Sequence, residues 1–300
     1  VRLKKIAVLL HEKDIFFDST DYLLRLLINK WREKGLTVEI LKGIKRFIPA
    51  DIIIPHLDLT VIPAEYRNFI NQYPNIINRR VIDISKSVIS NNIMARDDDY
   101  TGPVIVKTDR NYGGMPEKRL QAGASSSSSL ASNLMSKIAS KLGWGRAERT
   151  ETASWSDIEC IKPSEYPIFP SLREVPQEIF DNNHLVVEKF LPEVEGDNYL
   201  LRYYYFFGDR EINILLKSKE KIIKGSNVFE CEEAPVPSEL RSIRKQLGFD
   251  YGKLDYVLRD GRVVLFDANR TPSFTTLEMR QLTDRVASHL AEGVQRDREF

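Results

Sequence analysis

The stretch that decides the fold is Gly252-Lys-Leu-Asp-Tyr-Val-Leu-Arg-Asp-Gly-Arg-Val-Val-Leu-Phe-Asp-Ala-Asn-Arg-Thr-Pro272. Leu254, Tyr256 and Leu258 alternate with Asp255 and Val257, as successive side chains of a strand do. Asp260-Gly261 then turns the chain, and Arg262 to Asn269 returns through Val263, Val264, Leu265 and Phe266, a hairpin pattern. Asp267 and Asn269, two residues apart, share a face. A register that sets Asp255 opposite them gathers three hard oxygen ligands, the donor set of a magnesium ion whose remaining ligands are phosphate and water. The register is open at this level, and Asp-x-Asn also serves simply to end a strand and start a turn.

Outward from this hairpin, composition sets the class. A chain of 300 residues, 42% hydrophobic, can bury a sizeable core as one large domain or two to three subdomains. With 44 basic and 43 acidic residues it carries no field that favours nucleic acid or an acidic membrane, so neither is an expected partner. Two cysteines, Cys160 and Cys231, are too few for a disulfide framework and are not clustered as zinc ligands would be, which makes a reducing cytoplasm the default expectation. The basic and apolar opening, Val1 to Leu10, is short, lacks a small-residue cleavage site and runs into His11-Glu12-Lys13-Asp14, and so reads as a first strand.

That strand, Lys5 to Leu10, leads through Asp18-Ser-Thr-Asp to a helix over Tyr22–Lys34, whose Leu23, Leu24, Leu27, Ile28 and Trp31 recur at helical spacing. Further strands are expected at Thr37–Leu41 and Asp51–Ile54, giving residues 1–82 a βαβ-type parallel sheet. Ligands of such sheets lie beyond the carboxyl ends of the strands. His11, and His56 with Asp58, occupy those positions and are candidates for substrate contact, against ordinary loop polarity.

Ile76–Ile84 is apolar and strand-like, Ser85–Met94 reads as helical with Lys86 at its start, and Pro103–Lys107 is a short strand ending in lysine. Gly113-Gly114 follows, flexible enough to turn backbone amides toward a phosphate or simply to turn the chain. Gln121 to Ala153 breaks the pattern: Ser125 to Ser129 is low in complexity and expected to be a mobile tether, with a helix over about 130–142 after it. Leu185–Leu191 is an apolar strand with Glu188 and Lys189 at its centre. Charges there cost free energy unless partnered. A polar ring held by the backbone of Lys189, Phe190 and Leu191 would be one partner, with Glu193, Glu195 or Asp197 downstream to accept from ribose hydroxyls, while an edge strand facing water is the plain alternative. Tyr199–Gly208 reads as a core strand in which Arg202 is the one charge, and Pro237–Leu247 as a capped helix.

Taken in order, Pro103–Lys107 with its glycine loop, Val187–Leu191, Lys253–Tyr256 and Leu265–Asn269 resemble the ATP-grasp superfamily, including its ribosomal-modification and D-alanine ligase type members, over most of the chain. The resemblance implies an α/β (α+β) ATP-grasp fold: a pre-ATP-grasp domain at 1–82, a central lid subdomain at 83–184 with an insert at about 115–166, and a C-terminal subdomain at 185–300 that carries the metal site. It implies ATP bound between subdomains with one or two Mg²⁺ or Mn²⁺ ions on Asp255, Asp267 and Asn269, where Asp267 replaces the glutamate of many members. Lys86 and Lys107 would meet the phosphates, Gly113 and Gly114 would form a lid, Glu188 to Leu191 the adenine hinge, and Glu193, Glu195 or Asp197 the ribose contact. Arg202 and Arg270 would face the reaction centre. The implied activity is ligation of a small-molecule or peptide carboxylate to an amine, or to a thiol, through an acyl phosphate with release of ADP and phosphate. A small-molecule kinase or a nucleotide-binding protein without turnover are the alternatives. A homodimer is the usual arrangement for enzymes of this size.

Overall fold

Residues 3–123, 154–274 and 277–294 are described by a computed structural model. Strands β1 (Lys5–Leu10), β2 (Thr37–Lys42), β3 (Ile52–His56) and β4 (Asn75–Ile76) form a parallel sheet in the order β2-β1-β3-β4. β1 and β3 occupy its centre because nearly every residue in them is apolar, and both faces are buried. Helix α1 (Leu23–Glu33) packs Leu23, Leu24, Leu27, Ile28 and Trp31 against one face, and α2 (Ala64–Ile70) packs Tyr66, Phe69 and Ile70 against the other.

Two expectations in the following segment fail for local reasons. Of the anticipated strand 76–84 only Ile76 pairs with β3, together with Asn75 just before it. Asn78 then takes a left-handed conformation (φ 59°), and its side chain bonds the backbone of Asp250 and Tyr251, which draws the chain out of the sheet. The helix expected over 85–94 is the single turn α3 (Lys86–Ile89). It ends early because Ile93 and Met94 pair with the strand carrying Val187 and Glu188, where the extended backbone gains better partners than another helical turn would offer.

β5 (Val104–Thr108), α4 (Met115–Gly123), β6 (Ile168–Phe169), α5 (Gln177–Asp181) and β7 (Leu185–Lys189) follow, with a three-stranded sheet ordered β6-β5-β7. β7 thus pairs with β5 and not with the strands after it. The serine run Ser125–Ser129 and the helix anticipated after it lie outside the described residues. β8 (Glu193–Glu195), β9 (Asn198–Phe207), β10 (Arg210–Ser218), β11 (Val228–Glu233), β12 (Tyr251–Arg259) and β13 (Arg262–Asn269) make an antiparallel sheet ordered β11-β10-β9-β12-β13, with β8 on β9.

Helices α6 (Ser238–Leu247) and α7 (Leu277–Ala291) cover opposite faces of that sheet: Leu240 of α6 packs with Tyr204, Leu254 and Tyr256, while Val286 and Leu290 of α7 join Tyr203, Tyr205 and Phe207. α7 also ties the N-terminal sheet to this one, since Trp31 Nε1 donates to Ala291 O at 3.0 Å and its ring meets Phe207 edge-on. Among the described residues no helix is long and apolar enough to cross a membrane.

Candidate active site

The hairpin β12–β13 fixes the register that the sequence left open: Asp255 stands opposite Asp267 and Lys253 opposite Asn269, with a bulge immediately after Asp255. All four side chains line a cavity of about 590 Å³. The bulge re-aims the strand at this point, a common arrangement beside functional sites. β9 supplies the next row, because Asp255 pairs with Tyr203 and Lys253 with Tyr205. Cross-strand partners share a face, so Tyr203 and Leu201 line the cavity too.

Charge is dense here. Lys253 Nζ lies 2.9 Å from Asp255 Oδ1, hydrogen-bonds Oδ2 at 3.0 Å, and sits 3.7 Å from the centre of the Tyr203 ring. Burial opposes the Lys253 ammonium, but Asp255, Tyr203 and Tyr205 outweigh it and raise its pKa. Burial raises the pKa of Asp255 against the pull of Lys253, and neighbouring Asp267 adds to that rise. Lys86, buried at the start of α3, donates to Arg110 O at 3.1 Å and stands 3.7 Å from Asp267 Oδ1. Lys107, on β5, pairs with Glu188 Oε2 at 2.5 Å and lies over the Phe266 ring. Lys224 is pressed against Tyr166, and burial, then Lys107, lowers its pKa to about 8.

The donor set fits a hard divalent cation. Asp255 Oδ1, though within ion-pair range of Lys253, has no hydrogen bond of its own. Asn269 Oδ1 accepts from Thr271 N at 2.7 Å, and the one hydroxyl proton of Thr271 is better placed on Asp58 Oδ1 (2.8 Å) than on Asn269 (3.2 Å). One lone pair of the amide oxygen is therefore left for a ligand. Among the described residues no three His, Cys, Asp or Glu side chains cluster as a metal site; a third oxygen donor beside the two aspartates would be that of Asn269, which lines the same cavity.

The structure thus brings Lys86, Lys107, Lys189, Phe190, Leu191, Asp255, Asp267 and Asn269 to one cavity. Other candidates lie elsewhere. Arg202 is not among the lining residues: its Nη2 and Nε bond Glu193 at 2.6 and 3.1 Å, and Glu193 also accepts from Leu258 N. That pair consumes Glu193 as well, while Glu195 is exposed beside Lys217 and Asp197 is exposed in the β8–β9 turn, so none of the three acids lines the cavity. Arg270 is 1% exposed and donates to the carbonyls of Leu59, Thr60, Val81 and Ile82; it rivets the N-terminal loops instead of facing the cavity, and burial lowers its pKa to about 10.

Glu188 is wholly buried with Lys107 as its partner, which is the physical account of a charge inside that strand. The N–H groups of Lys189 and Phe190 are already donated to Asn92 O and Pro103 O, so an adenine edge would meet the remaining backbone groups of this run. Gly113 and Gly114 have left-handed φ values (69° and 76°), and a Cβ on Gly113 would fall 2.3 Å from Ile161 O. Close packing on the 160–163 segment requires them, and it is Tyr112 that reaches the cavity.

His56 is wholly buried between Phe17 and Tyr22 with both ring nitrogens unpartnered, and burial lowers its pKa to about 3. Asp58 accepts from Tyr22 Oη and Thr271 Oγ1, and with His11 it borders a recess of only about 10 Å³. Sequence reasoning missed Lys253, Lys224, Tyr166, Tyr203 and Arg119. Lys253 alone had a local signal, since it precedes Asp255 by one strand period.

The chain aligns with the solved structure of the ATP-grasp ligase PsnB, complexed with a phosphomimetic variant of its minimal precursor, Mg and ADP. The alignment covers 97% of this chain and 99% of that one, at 10% identity and a TM-score of 0.50. The macrocyclase MdnC bound with the precursor peptide MdnA, from Microcystis aeruginosa, aligns over 96% and 98% at 11% identity and a TM-score of 0.47. D-alanine–D-alanine ligase from Bacillus anthracis aligns over 97% of both chains at 11% identity and a TM-score of 0.45. No family model and no curated protein matches the chain. The chain has the ATP-grasp fold.

Proposed function

We propose that the chain is an ATP-dependent ligase joining a carboxylate to an amine through an acyl phosphate. The observation that carries this reading is the pair Asp255 and Asp267, facing each other across two strands in a cavity walled by Lys86, Lys107, Lys224 and Lys253. Ile105, Leu201, Val257 and Phe266, together with Phe190 and Leu191, offer the apolar slot that a purine ring needs. Lys86 and Lys107 would hold the phosphates. Asp255, Asp267 and Asn269 would hold Mg²⁺, which when bound offsets phosphate charge and orients the reacting oxygens.

A carboxylate oxygen of the acid attacks the γ-phosphorus as its bond to the β–γ bridging oxygen breaks, and ADP leaves with the electron pair. The amine nitrogen then adds to the acyl carbon, the carbon–oxygen bond to phosphate breaks, inorganic phosphate leaves with that pair, and the nitrogen gives up one proton. A cation is needed beside the tetrahedral oxyanion. Lys253, kept protonated by Asp255, takes that role in place of Arg202 and Arg270, whose guanidinium groups are committed elsewhere. Enclosure matters because acyl phosphates hydrolyse in water.

The test is product analysis. ADP and phosphate release should require both an acid and an amine, and Asp267→Ala should abolish it with the circular dichroism spectrum unchanged. A stable phosphorylated product formed with no amine present would replace this reading with a kinase, and nucleotide binding with no turnover on any acceptor would replace it with a binding protein.

A further inference from the structure

Four cations of the cavity make no ion pair among the described residues: Arg119, Lys189, Lys221 and Lys224. Three of them rest on aromatic faces, Arg119 on Phe16 (5.4 Å to the ring centre), Lys189 on Tyr100 (5.2 Å) and Lys224 on Tyr166 (5.6 Å). A ring face steadies a cation without cancelling its charge, so these groups remain open to an anion; Arg119 also acts electrostatically on Asp58, without forming an ion pair with it. Their positions divide the work. Lys189 belongs to the Phe190–Leu191 run, and Lys224 interacts electrostatically with Lys107, Asp255 and Asp267, the residues that would hold the phosphates and metal.

Arg119 stands apart, on α4. It borders both the main cavity and the small recess with His11, Asp14, Tyr22 and Asp58, on the side of the N-terminal sheet. Its backbone mount is firm. Two residues earlier, Glu117 Oε1 accepts from Thr60 N and Thr60 Oγ1 at 2.7 and 2.6 Å, which pins α4 to the loop after β3. A guanidinium is a planar fork that matches a carboxylate in two parallel hydrogen bonds.

We infer that Arg119 reads a second anionic group on the acid substrate, so that the enzyme activates acids bearing two carboxylates and discriminates against the corresponding mono-acids. This rests on the ligase reading above. In that reading Lys86 and Lys107 would serve the phosphates and Lys253 the oxyanion, which leaves the charge on Arg119 without a counterpart in the nucleotide. The carboxylate being activated sits at the γ-phosphate, near Asp255 and Lys253. Arg119 therefore meets a different part of the same molecule.

The experiment uses the full chain with MgATP and hydroxylamine as the amine, which traps any acyl phosphate as a coloured hydroxamate. Glutarate and succinate are compared with their mono-amides and with butyrate, and MgADP binding is measured separately by calorimetry. The expected result is hydroxamate from a diacid with kcat/KM at least about 100-fold above its mono-amide, a preference that Arg119→Gln abolishes and Arg119→Lys restores in part, with MgADP affinity the same in all three proteins. Equal use of diacid and mono-amide, or a preference that survives Arg119→Gln, overturns the inference. MgADP binding without hydroxamate from any diacid overturns it as well. Failure to bind MgADP overturns the ligase reading itself.

Discussion

Two partly buried ion pairs sit on neighbouring strands of the same sheet and do opposite things. Lys253–Asp255 on β12 faces the cavity, while Arg202 on β9 closes on Glu193 of β8, with its cross-strand neighbour Tyr256 on the side covered by α6. The residue immediately after Arg202 is Tyr203, which does face the cavity. A strand has a period of two, so a displacement of one residue moves a charge from the reaction chamber into the support beneath it. The pair next to the cavity can change partners when a metal and phosphates arrive; the pair on the other face cannot, because Glu193 also holds Leu258 N.

The sharpest way to break this contrast is to remove a cavity carboxylate. Asp255→Ala should weaken magnesium-dependent ADP binding by at least about 100-fold in calorimetry while the fold persists. Binding that is indifferent to the metal would dissolve the distinction between the two faces. Next in size, Lys253→Met should lower turnover about 10²- to 10³-fold while nucleotide affinity changes far less, the signature of a group that acts on developing charge. Arg202→Met should do the reverse. Urea denaturation should show a loss of about 2–3 kcal/mol, discounted because the pair keeps some contact with water, and the remaining active protein should turn over normally. A large loss of turnover in folded Arg202→Met would return the reaction centre to that face.

At neutral pH the smallest effect belongs to His56, whose contribution to pH dependence appears only on acidification. Its pKa falls from 6.5 unfolded to about 3 folded, so the unfolded chain binds the extra proton between those values. Stability from keeping His56 neutral is therefore complete above pH 6.5 and is lost as pH falls toward 3, by at most about 1.4 kcal/mol per unit. Comparing urea midpoints of wild type and His56→Phe from pH 7 to pH 4 should show the wild type losing more.

Alternation and turn chemistry were enough to place β12, the Asp260-Gly261 turn and β13, and the helical spacing of Leu23 to Trp31 was enough to place α1. The apolar run 76–84 misled because Asn78 finds its hydrogen bonds 172 and more residues away, at Asp250 and Tyr251. The two arginines misled for a related reason. A lone charge in an apolar segment, as Arg202 is, signals that a partner exists, and that partner is Glu193 on the next strand; Arg270, outside any apolar run, is held by four carbonyls about 190 to 210 residues distant in the chain, those of Leu59, Thr60, Val81 and Ile82. Glu188 carried the same signal, and its partner proved to be Lys107, 81 residues away.

The sequence by itself determined which residues carry hard oxygens and cations and which strands hold them, because periodicity and turn residues are properties of neighbours in the chain. Tertiary structure alone decided which of those charges share a chamber. Strand register, the bulge after Asp255 and the packing of α6 against one sheet face come from contacts between segments far apart, and a one-residue difference there exchanges inside for outside.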